Sequence, residues 1–435
     1  MTPNTIEDLL DFLNSSPTPW HAVDWIVSRL EEHGFRRLEE ENIWDIQPNS
    51  KYYVLRNGST LCAFITPNQP PLYARIAASH TDSPGFKLKP NAEFQKENMI
   101  LWGLEIYGAP LLTSWLNRDL GLAGRIVYES KSGKIEESLV NIEDSPVTIP
   151  QLAIHLDRQV NETGLTLNKQ EHLAALVGIS KEKPEITFLD QLLQKKKSFT
   201  HLLGADLFLY PLEKARLMGK EQELFASWRI DNLGGAHACL KGFLESEKQD
   251  HSCINMVVFW DHEEIGSNSA QGAGSPFLLH LLERIAVSLK LEREAFLRLI
   301  SRSHCLSVDL GHAVHPNYAD KHDPRHPLLL NQGISLKFNA QHRYASDSRS
   351  IAWVTSLCHK HGIPFQRHAG RGDIPSGSTI GPVHASLSGM PTADVGYAQL
   401  SMHSCRELAG CQDHLDLCRL TAAYFKDDYG TIFTQ

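Results

Sequence analysis

An apolar segment that ends in two adjacent carboxylates constrains this chain most strongly. Residues 254–260 are rich in β-branched and aromatic side chains, a composition that suits a strand covered on both faces in a parallel sheet. Glu263 and Glu264 follow shortly after it. Because ligands of open α/β sheets bind beyond the carboxyl ends of the strands, these acids lie where a site is expected. Two neighbouring acids could also belong to a solvated loop, so partners elsewhere must decide.

The size and charge of the chain limit its class. At 435 residues it exceeds what one hydrophobic core usually supports, which predicts two domains or one large domain with an insertion. A formal net charge of −9 provides no basic surface for nucleic acid or an anionic membrane. No apolar segment approaches the roughly 18 residues of a membrane span, and no signal peptide is recognisable. Eight Cys without a Cys-x-x-Cys pair fit a reducing compartment, so we expect a cytoplasmic protein.

Strand-like and helix-like segments alternate on both sides of a stretch with a different character. Between 91 and 227, short β-like runs are separated by turn signals. We therefore predict an α/β fold, with a mixed, largely parallel sheet flanked by helices and an inserted β-rich domain. The predicted division is 1–90 for the first catalytic segment, 91–227 for the insertion and 228–435 for the second catalytic segment.

Five predicted strand ends carry imidazole or carboxylate groups. Two of these strands are predicted at 225–230 and 393–400. Two imidazoles and three carboxylates suit a pair of Zn²⁺ ions, with one carboxylate bridging and an open position on each metal. Taken singly, each residue has a plainer explanation, such as a helix cap, a turn or one of 22 histidines. The predicted metal ligands are His80, Asp231, Glu264, Asp309 and His403.

Glu263 and Asp82 are the remaining candidates for catalysis. A site with two metals needs a base that takes a proton from water and passes it to the leaving amine. Adjacent loop residues can divide such roles, which would leave Glu263 free beside a ligating Glu264. Asp82 follows His80 by two residues, so in an extended chain it lies on the same side and could orient the imidazole. The alternative for Asp82 is a surface or capping residue.

Six short motifs occur in order along nearly the whole chain. They are SPTPWHAV (16–23), SHTDSP (79–84), DNL (231–233), DHEEIGS (261–267), DLGHAVHPNY (309–318) and MHS (402–404). Together they resemble the motifs of the aspartyl aminopeptidase family of dinuclear zinc exopeptidases. One departure is Ser376, which stands where the family commonly has Cys.

The resemblance implies a zinc exopeptidase fold whose inserted domain serves oligomerisation. It further implies two Zn²⁺ per subunit, one open to exchange for Mn²⁺ or Co²⁺, and peptide substrates. The assembly would be a cytosolic, tetrahedral homododecamer built from dimers. Glu263 would be the general base. One zinc would be held by His80 and Asp309, the other by Glu264 and His403, and the bridge would be Asp231.

The resemblance also implies three substrate-binding residues. His155, in the motif LAIHL at 152–156, would reach the active site of a neighbouring subunit. Lys337 would meet the acidic side chain of the substrate, and Tyr344 lies in a further substrate-side motif. Judged from the residues alone, His155 on an apolar strand would more often be a structural histidine, and the plain alternative for Lys337 is a strand lysine that faces solvent.

We therefore expect a two-zinc aminopeptidase that removes N-terminal residues and prefers Asp or Glu. One alternative is a related two-zinc aminopeptidase or deacylase without acidic preference. The alternative from another class is a non-catalytic metal-binding scaffold that uses the insertion for assembly. The presence of Glu263 beside Glu264 argues against the scaffold, which has no need of a free base.

Overall fold

The computed structural model describes residues 3–180, 187–246 and 252–427. Within these ranges no helix combines the length and the apolar character needed to cross a lipid bilayer. The α-helices are α1 (Pro3–Ser15), α2 (Pro19–Glu32), α3 (Val160–Thr163), α4 (Phe188–Lys196), α5 (Ile230–Leu244), α6 (Phe277–Ser288), α7 (Arg293–Arg302), α8 (Ser348–His361), α9 (Ile380–Ser388) and α10 (Cys411–Lys426).

The strands form three sheets. They are β1 (Arg36–Leu38), β2 (Lys51–Arg56), β3 (Thr60–Ile65), β4 (Tyr73–His80), β5 (Gly85–Lys96), β6 (Met99–Tyr107), β7 (Leu120–Glu129), β8 (Ile135–Val147), β9 (Ala175–Ile179), β10 (His201–Pro211), β11 (Arg216–Met218), β12 (Leu224–Ser227), β13 (Cys253–Trp260), β14 (His304–Val308), β15 (Gly311–His312), β16 (Ile334–Phe338), β17 (Phe365–Ala369), β18 (Thr392–Gly396), β19 (Ala398–Leu400) and β20 (Glu407–Gly410).

The largest sheet has nine strands in the order β1-β2-β3-β13-β4-β14-β18-β16-β17. Its centre, from β13 through β4 and β14 to β18, is parallel, whereas β13 pairs antiparallel with β3. Helices α1, α2, α5, α8 and α10 cover one face, and α6 and α7 cover the other. The predicted mixed α/β fold with a largely parallel sheet is confirmed.

Strand β13 is buried along its whole length, as the apolar segment predicts. Val257 and Phe259 pack into one core, and Val258 and Trp260 into the opposite one. Burying an aliphatic or aromatic side chain of this size contributes about 1.5–3 kcal/mol. This double burial fixes the position of the polar segment that follows the strand.

The second sheet forms the β-rich domain and is antiparallel. Its order is β8-β7-β10-β5-β6-β9, so its strands run from Gly85 to Pro211. It has a core of its own, which includes Phe86, Trp102 and Trp115. The division of the chain at 91 and 227 stays a prediction.

The third, smaller sheet corrects two expectations about strands. The strand predicted at 225–230 ends at Ser227, because Arg229 takes a left-handed conformation with φ 63° and α5 begins at Ile230. The strand predicted at 393–400 is divided into β18 and β19. Strands β12 and β19 belong to the sheet ordered β11-β12-β20-β19-β15. Asp231 and His403 therefore follow strands of this third sheet rather than of the central sheet.

Candidate active site

Three adjacent strands of the central sheet bring the first site residues together. His80 is the last residue of β4, which lies between β13 and β14, and Asp309 follows β14 directly. After β13, His262 turns the chain with a φ of 65°, and Glu263 and Glu264 begin a short 3-10 helix. Because these strands are parallel, their carboxyl ends meet at one edge of the sheet.

Asp231 and His403 reach this edge from outside the central sheet. Asp231 lies at the start of α5, and His403 follows β19 with a φ of 65°. Glu407 joins them, since one carboxylate oxygen accepts the backbone N–H of His403 at 2.7 Å and the other that of Asp231 at 3.0 Å.

The five predicted ligands form two groups that share Asp231. One group is His80, Asp231 and Asp309, and the other is Asp231, Glu264 and His403. His80 Nε2 lies 3.6 Å from Asp231 Oδ1 and 3.7 Å from Asp309 Oδ1. His403 Nε2 lies 3.6 Å from Asp231 Oδ2 and 3.4 Å from Glu264 Oε2.

These separations fit metal ligands better than hydrogen bonds. Ligands about 2.0–2.1 Å from a tetrahedral zinc lie roughly 3.3–3.4 Å apart, beyond an ordinary N–H···O bond. Within the described residues, Asp231 Oδ1 is buried without a hydrogen-bond partner. A buried set of imidazoles and carboxylates with an unsatisfied central oxygen is suited to two zinc ions.

The far nitrogen of each histidine is already engaged. His80 Nδ1 lies 3.1 Å from the backbone oxygen of Asp82 and 3.3 Å from its Oδ1. His403 Nδ1 lies 3.1 Å from the backbone oxygen of Ala109. Each contact holds the imidazole with Nε2 directed to the carboxylates, as metal-binding histidines usually are.

Asp82 also holds the segment that carries the two glutamates. Its carboxylate is fully buried and accepts the backbone N–H of Glu263 at 3.1 Å and of Glu264 at 3.0 Å. The hydroxyl of Tyr107 donates to it at 2.7 Å. Asp82 therefore positions both His80 and the glutamate segment, and the surface alternative does not apply.

Burial and neighbouring charges shift the pKa values of several side chains in this site. Burial raises the pKa of Glu264 to about 7, with a further contribution from the charge of Asp231 and opposition from His403. Burial also raises the pKa of Glu263, whose Oε2 lies 4.0 Å from His80 Nε2. Although burial acts in the opposite direction, the neighbouring carboxylates of Asp231 and Glu264 raise the pKa of His403 to about 12. Each of these shifts favours the protonated form of the group concerned.

Metal affinity should rise with pH across the pKa of Glu264. A metal binds the carboxylate and the neutral imidazole, so Glu264 and His403 must release protons as it binds. Titration calorimetry in buffers of different ionisation enthalpy should show that protons are released when the metal binds. The metal should bind more weakly about one pH unit below the pKa of Glu264 than about one pH unit above it. Equal affinity at both pH values and no proton release would contradict this coupling.

Glu407 is the functional residue that the motifs did not identify. It is buried, but nothing in its sequence context indicates that its two oxygens hold two ligand-bearing segments. Burial is the main cause that raises the pKa of Glu407, and repulsion from Asp231 raises it further. The two backbone N–H groups that donate to the carboxylate oppose this rise.

Glu407→Gln should weaken zinc binding by about 10–100-fold, because its amide nitrogen cannot accept one of the two N–H groups. Competition with a chromophoric chelator measures the affinity. Glu245→Gln, which alters an exposed pair with Lys426, is the control. Unchanged affinity in Glu407→Gln would show that the two segments hold their positions without it.

Of the three predicted substrate-binding residues, Lys337 and Tyr344 lie near Asp309, whereas His155 does not contact the group. Lys337 is buried at the end of β16, and its ammonium donates to the backbone oxygen of Leu310 at 2.6 Å. It lies 5.2 Å from the ring centroid of Tyr344, and its charge lowers the pKa of Asp309 against the effect of burial. His155 is exposed, and no hydrogen bond or ion pair joins it to these residues in the described part of the chain.

Known proteins share this architecture. A family profile described as Aminopeptidase I zinc metalloprotease (M18) matches residues 12–425. A probable M18 family aminopeptidase 2 of Ectopseudomonas mendocina is 39% identical over 433 residues, covering 98% of this chain and 99% of the relative.

Solved structures have a fold similar to that of this chain. A structure of the Ape4 and Nbr1 complex has a TM-score of 0.92 and 36% identity, covering 97% of this chain and 85% of that chain. The S. cerevisiae mApe1 dodecamer has a TM-score of 0.85 and 26% identity, covering 96% of this chain and 95% of that one. The family resemblance is confirmed, and the chain belongs to the M18 family of aminopeptidase I zinc metalloproteases.

Proposed function

We propose that this aminopeptidase uses two zinc ions to remove acidic residues from the N-termini of peptides. The observation that carries the proposal is Asp231, whose two carboxylate oxygens each lie 3.6 Å from Nε2 of a different histidine. His80 and Asp309 would hold one ion, and Glu264 and His403 would hold the other. Zinc in such a site polarises the peptide carbonyl and lowers the pKa of water toward neutrality.

Glu263 carries the proton in this mechanism. Its side chain borders the group, with Oε2 4.0 Å from His80 Nε2. Glu263 could also form a ligand set with His80 and Glu264, but neither of the two sets that contain Asp231 needs it. Burial raises its pKa, so it can hold a proton between two steps. Glu263 takes the proton from the attacking water and returns it to the departing amine.

Lys337 selects the substrate side chain. Among the described residues, the hydrogen bonds of its ammonium comprise one bond to the backbone oxygen of Leu310. An ammonium has three donors. This buried cation can therefore donate hydrogen bonds to the carboxylate of an N-terminal Asp or Glu. The ring of Tyr344 flanks the ammonium on another side.

His155 acts across an interface between subunits. Leu152, Ile154 and Leu156 around it are 59%, 45% and 74% exposed. Covering this apolar segment by a second subunit removes it from water and carries His155 toward a neighbouring site. The mApe1 dodecamer supports self-association, which we extend to a tetrahedral dodecamer assembled through the β-rich domain. Eight free thiols support a cytoplasmic location.

A panel of peptides with Asp, Glu, Leu or Lys at the N-terminus tests the acidic preference. We expect the highest kcat/KM for Asp and Glu. Lys337→Met, which keeps much of the buried volume, should lower kcat/KM for these two by about 10²–10³-fold and leave Leu peptides within a few fold.

Equal losses for all peptides in Lys337→Met would show that Lys337 supports the metal group rather than reading the substrate. Uniform turnover by the unaltered enzyme would favour a two-zinc aminopeptidase without acidic preference. Tyr344→Phe is the matched control for packing, because it retains the ring beside the ammonium.

A further inference from the structure

A second cluster of metal-ligating side chains lies between helices α5 and α10. His237 is on α5, and His414 and Cys418 are one turn apart on α10. His237 Nδ1 lies 3.0 Å from His414 Nε2, which lies 3.4 Å from Cys418 Sγ. All three side chains are fully buried, and all three ligand atoms lie within 4.8 Å of one another.

Asp8 on α1 holds the far side of His237. Its Oδ2 lies 3.2 Å from His237 Nε2, and Lys241 Nζ lies at the same distance from that oxygen. Because a carboxylate can only accept, this contact places a proton on Nε2 and leaves the lone pair of Nδ1 directed at His414. A carboxylate on the outer nitrogen is the usual support of a metal-binding histidine.

We propose that His237, His414 and Cys418 bind one thiophilic divalent metal ion, such as zinc, at a site separate from the peptidase centre. Tetrahedral zinc with bonds of about 2.0–2.1 Å to nitrogen and 2.3 Å to sulfur separates its ligands by roughly 3.3–3.6 Å. The 3.0 Å contact is shorter than this range and has the length of a hydrogen bond, and the 3.4 Å contact lies within the range. The α5–α10 contact would have to open slightly to admit the ion.

Metal binding at this cluster requires Cys418 to lose its proton and His414 to change the nitrogen that carries its proton. Without metal, burial raises the pKa of the Cys418 thiol, so the sulfur stays protonated. The proton of His414 Nε2 moves to Nδ1, which is buried and has no partner among the described residues. On binding, a metal–sulfur bond forms, the S–H bond breaks and one proton leaves to solvent. The carboxylate of Asp8, which also pairs with Arg29 and Lys241, stays on His237 Nε2, on the side of the ring away from the ion.

Cobalt distinguishes this site from the peptidase centre. The peptidase residues offer only nitrogen and oxygen, whereas Cys418 would give a thiolate-to-Co²⁺ charge-transfer band in the near ultraviolet. We expect the protein titrated with Co²⁺ to develop this band with one equivalent of metal beyond those bound by the peptidase residues. Cys418→Ser should remove the band and that equivalent and leave peptide hydrolysis within a few fold.

Two cysteine variants are the controls. Cys239→Ser alters another buried thiol on α5, and Cys411→Ser alters the thiol that is partly exposed; both should keep the band. Absence of the band from the unaltered protein overturns the proposal, even if Cys418→Ser fails to fold. Persistence of the band in folded Cys418→Ser also overturns it, and the cluster would then be a hydrogen-bonded part of the core.

Discussion

Replacing Glu263 by glutamine should lower kcat for peptide hydrolysis by about 10²–10⁴-fold while the protein keeps its metal ions. Glutamine fills the same space but cannot take a proton from water. The backbone N–H of residue 263 still donates to Asp82, so the segment keeps its position. Metal analysis and steady-state kinetics on the same preparation measure both quantities.

The neighbouring residue is the matched comparison for this experiment. Glu264 lies 3.4 Å from His403 Nε2 and belongs to one of the groups that share Asp231. Glu264→Gln should therefore lower metal content as well as turnover. Near-normal turnover in Glu263→Gln would remove its role as base, and loss of metal from Glu263→Gln but not from Glu264→Gln would reverse the two assignments.

Asp231→Asn should reduce the metal content below one ion per subunit and lower kcat/KM by at least about 10³-fold, since one side chain serves both groups. The substitution preserves volume and the backbone N–H that Glu407 accepts. It also places an NH₂ group where one of two buried oxygens faces a histidine.

Two single-group variants and a stability measurement complete this test. Asp309→Asn and His403→Gln each alter one group, so each should lose about one ion of the two. Chelation should lower the Tm of the unaltered protein more than that of Asp231→Asn, because a bound metal stabilises the folded state. If Asp231→Asn retains two ions, the shared role of Asp231 is wrong.

Sequence patterns were most informative where one element decides the position. The apolar run of β13 predicts a doubly buried strand, and parallel neighbours then bring the residues after β13, β4 and β14 to one edge. Asp231 and His403 meet these residues at the same edge, but they follow β12 and β19, which belong to the third sheet. Apolar periodicity shows that a segment is buried and does not show in which sheet.

Contacts between distant parts of the chain could not be predicted from local patterns. Glu407 binds the backbone of Asp231, 176 residues away, and His237 meets His414 at a separation of 177 residues. Such pairs depend on how helices and sheets pack.

The β-rich domain contributes contacts that hold residues of the candidate active site in place. Tyr107, at the end of β6, bonds Asp82, and the backbone oxygen of Ala109 engages His403. A shortened chain without the six-stranded sheet would lose a support on each side of the shared carboxylate. Insertions and deletions in this family are therefore expected to spare the β6 end, and a minimal catalytic fragment has to retain it.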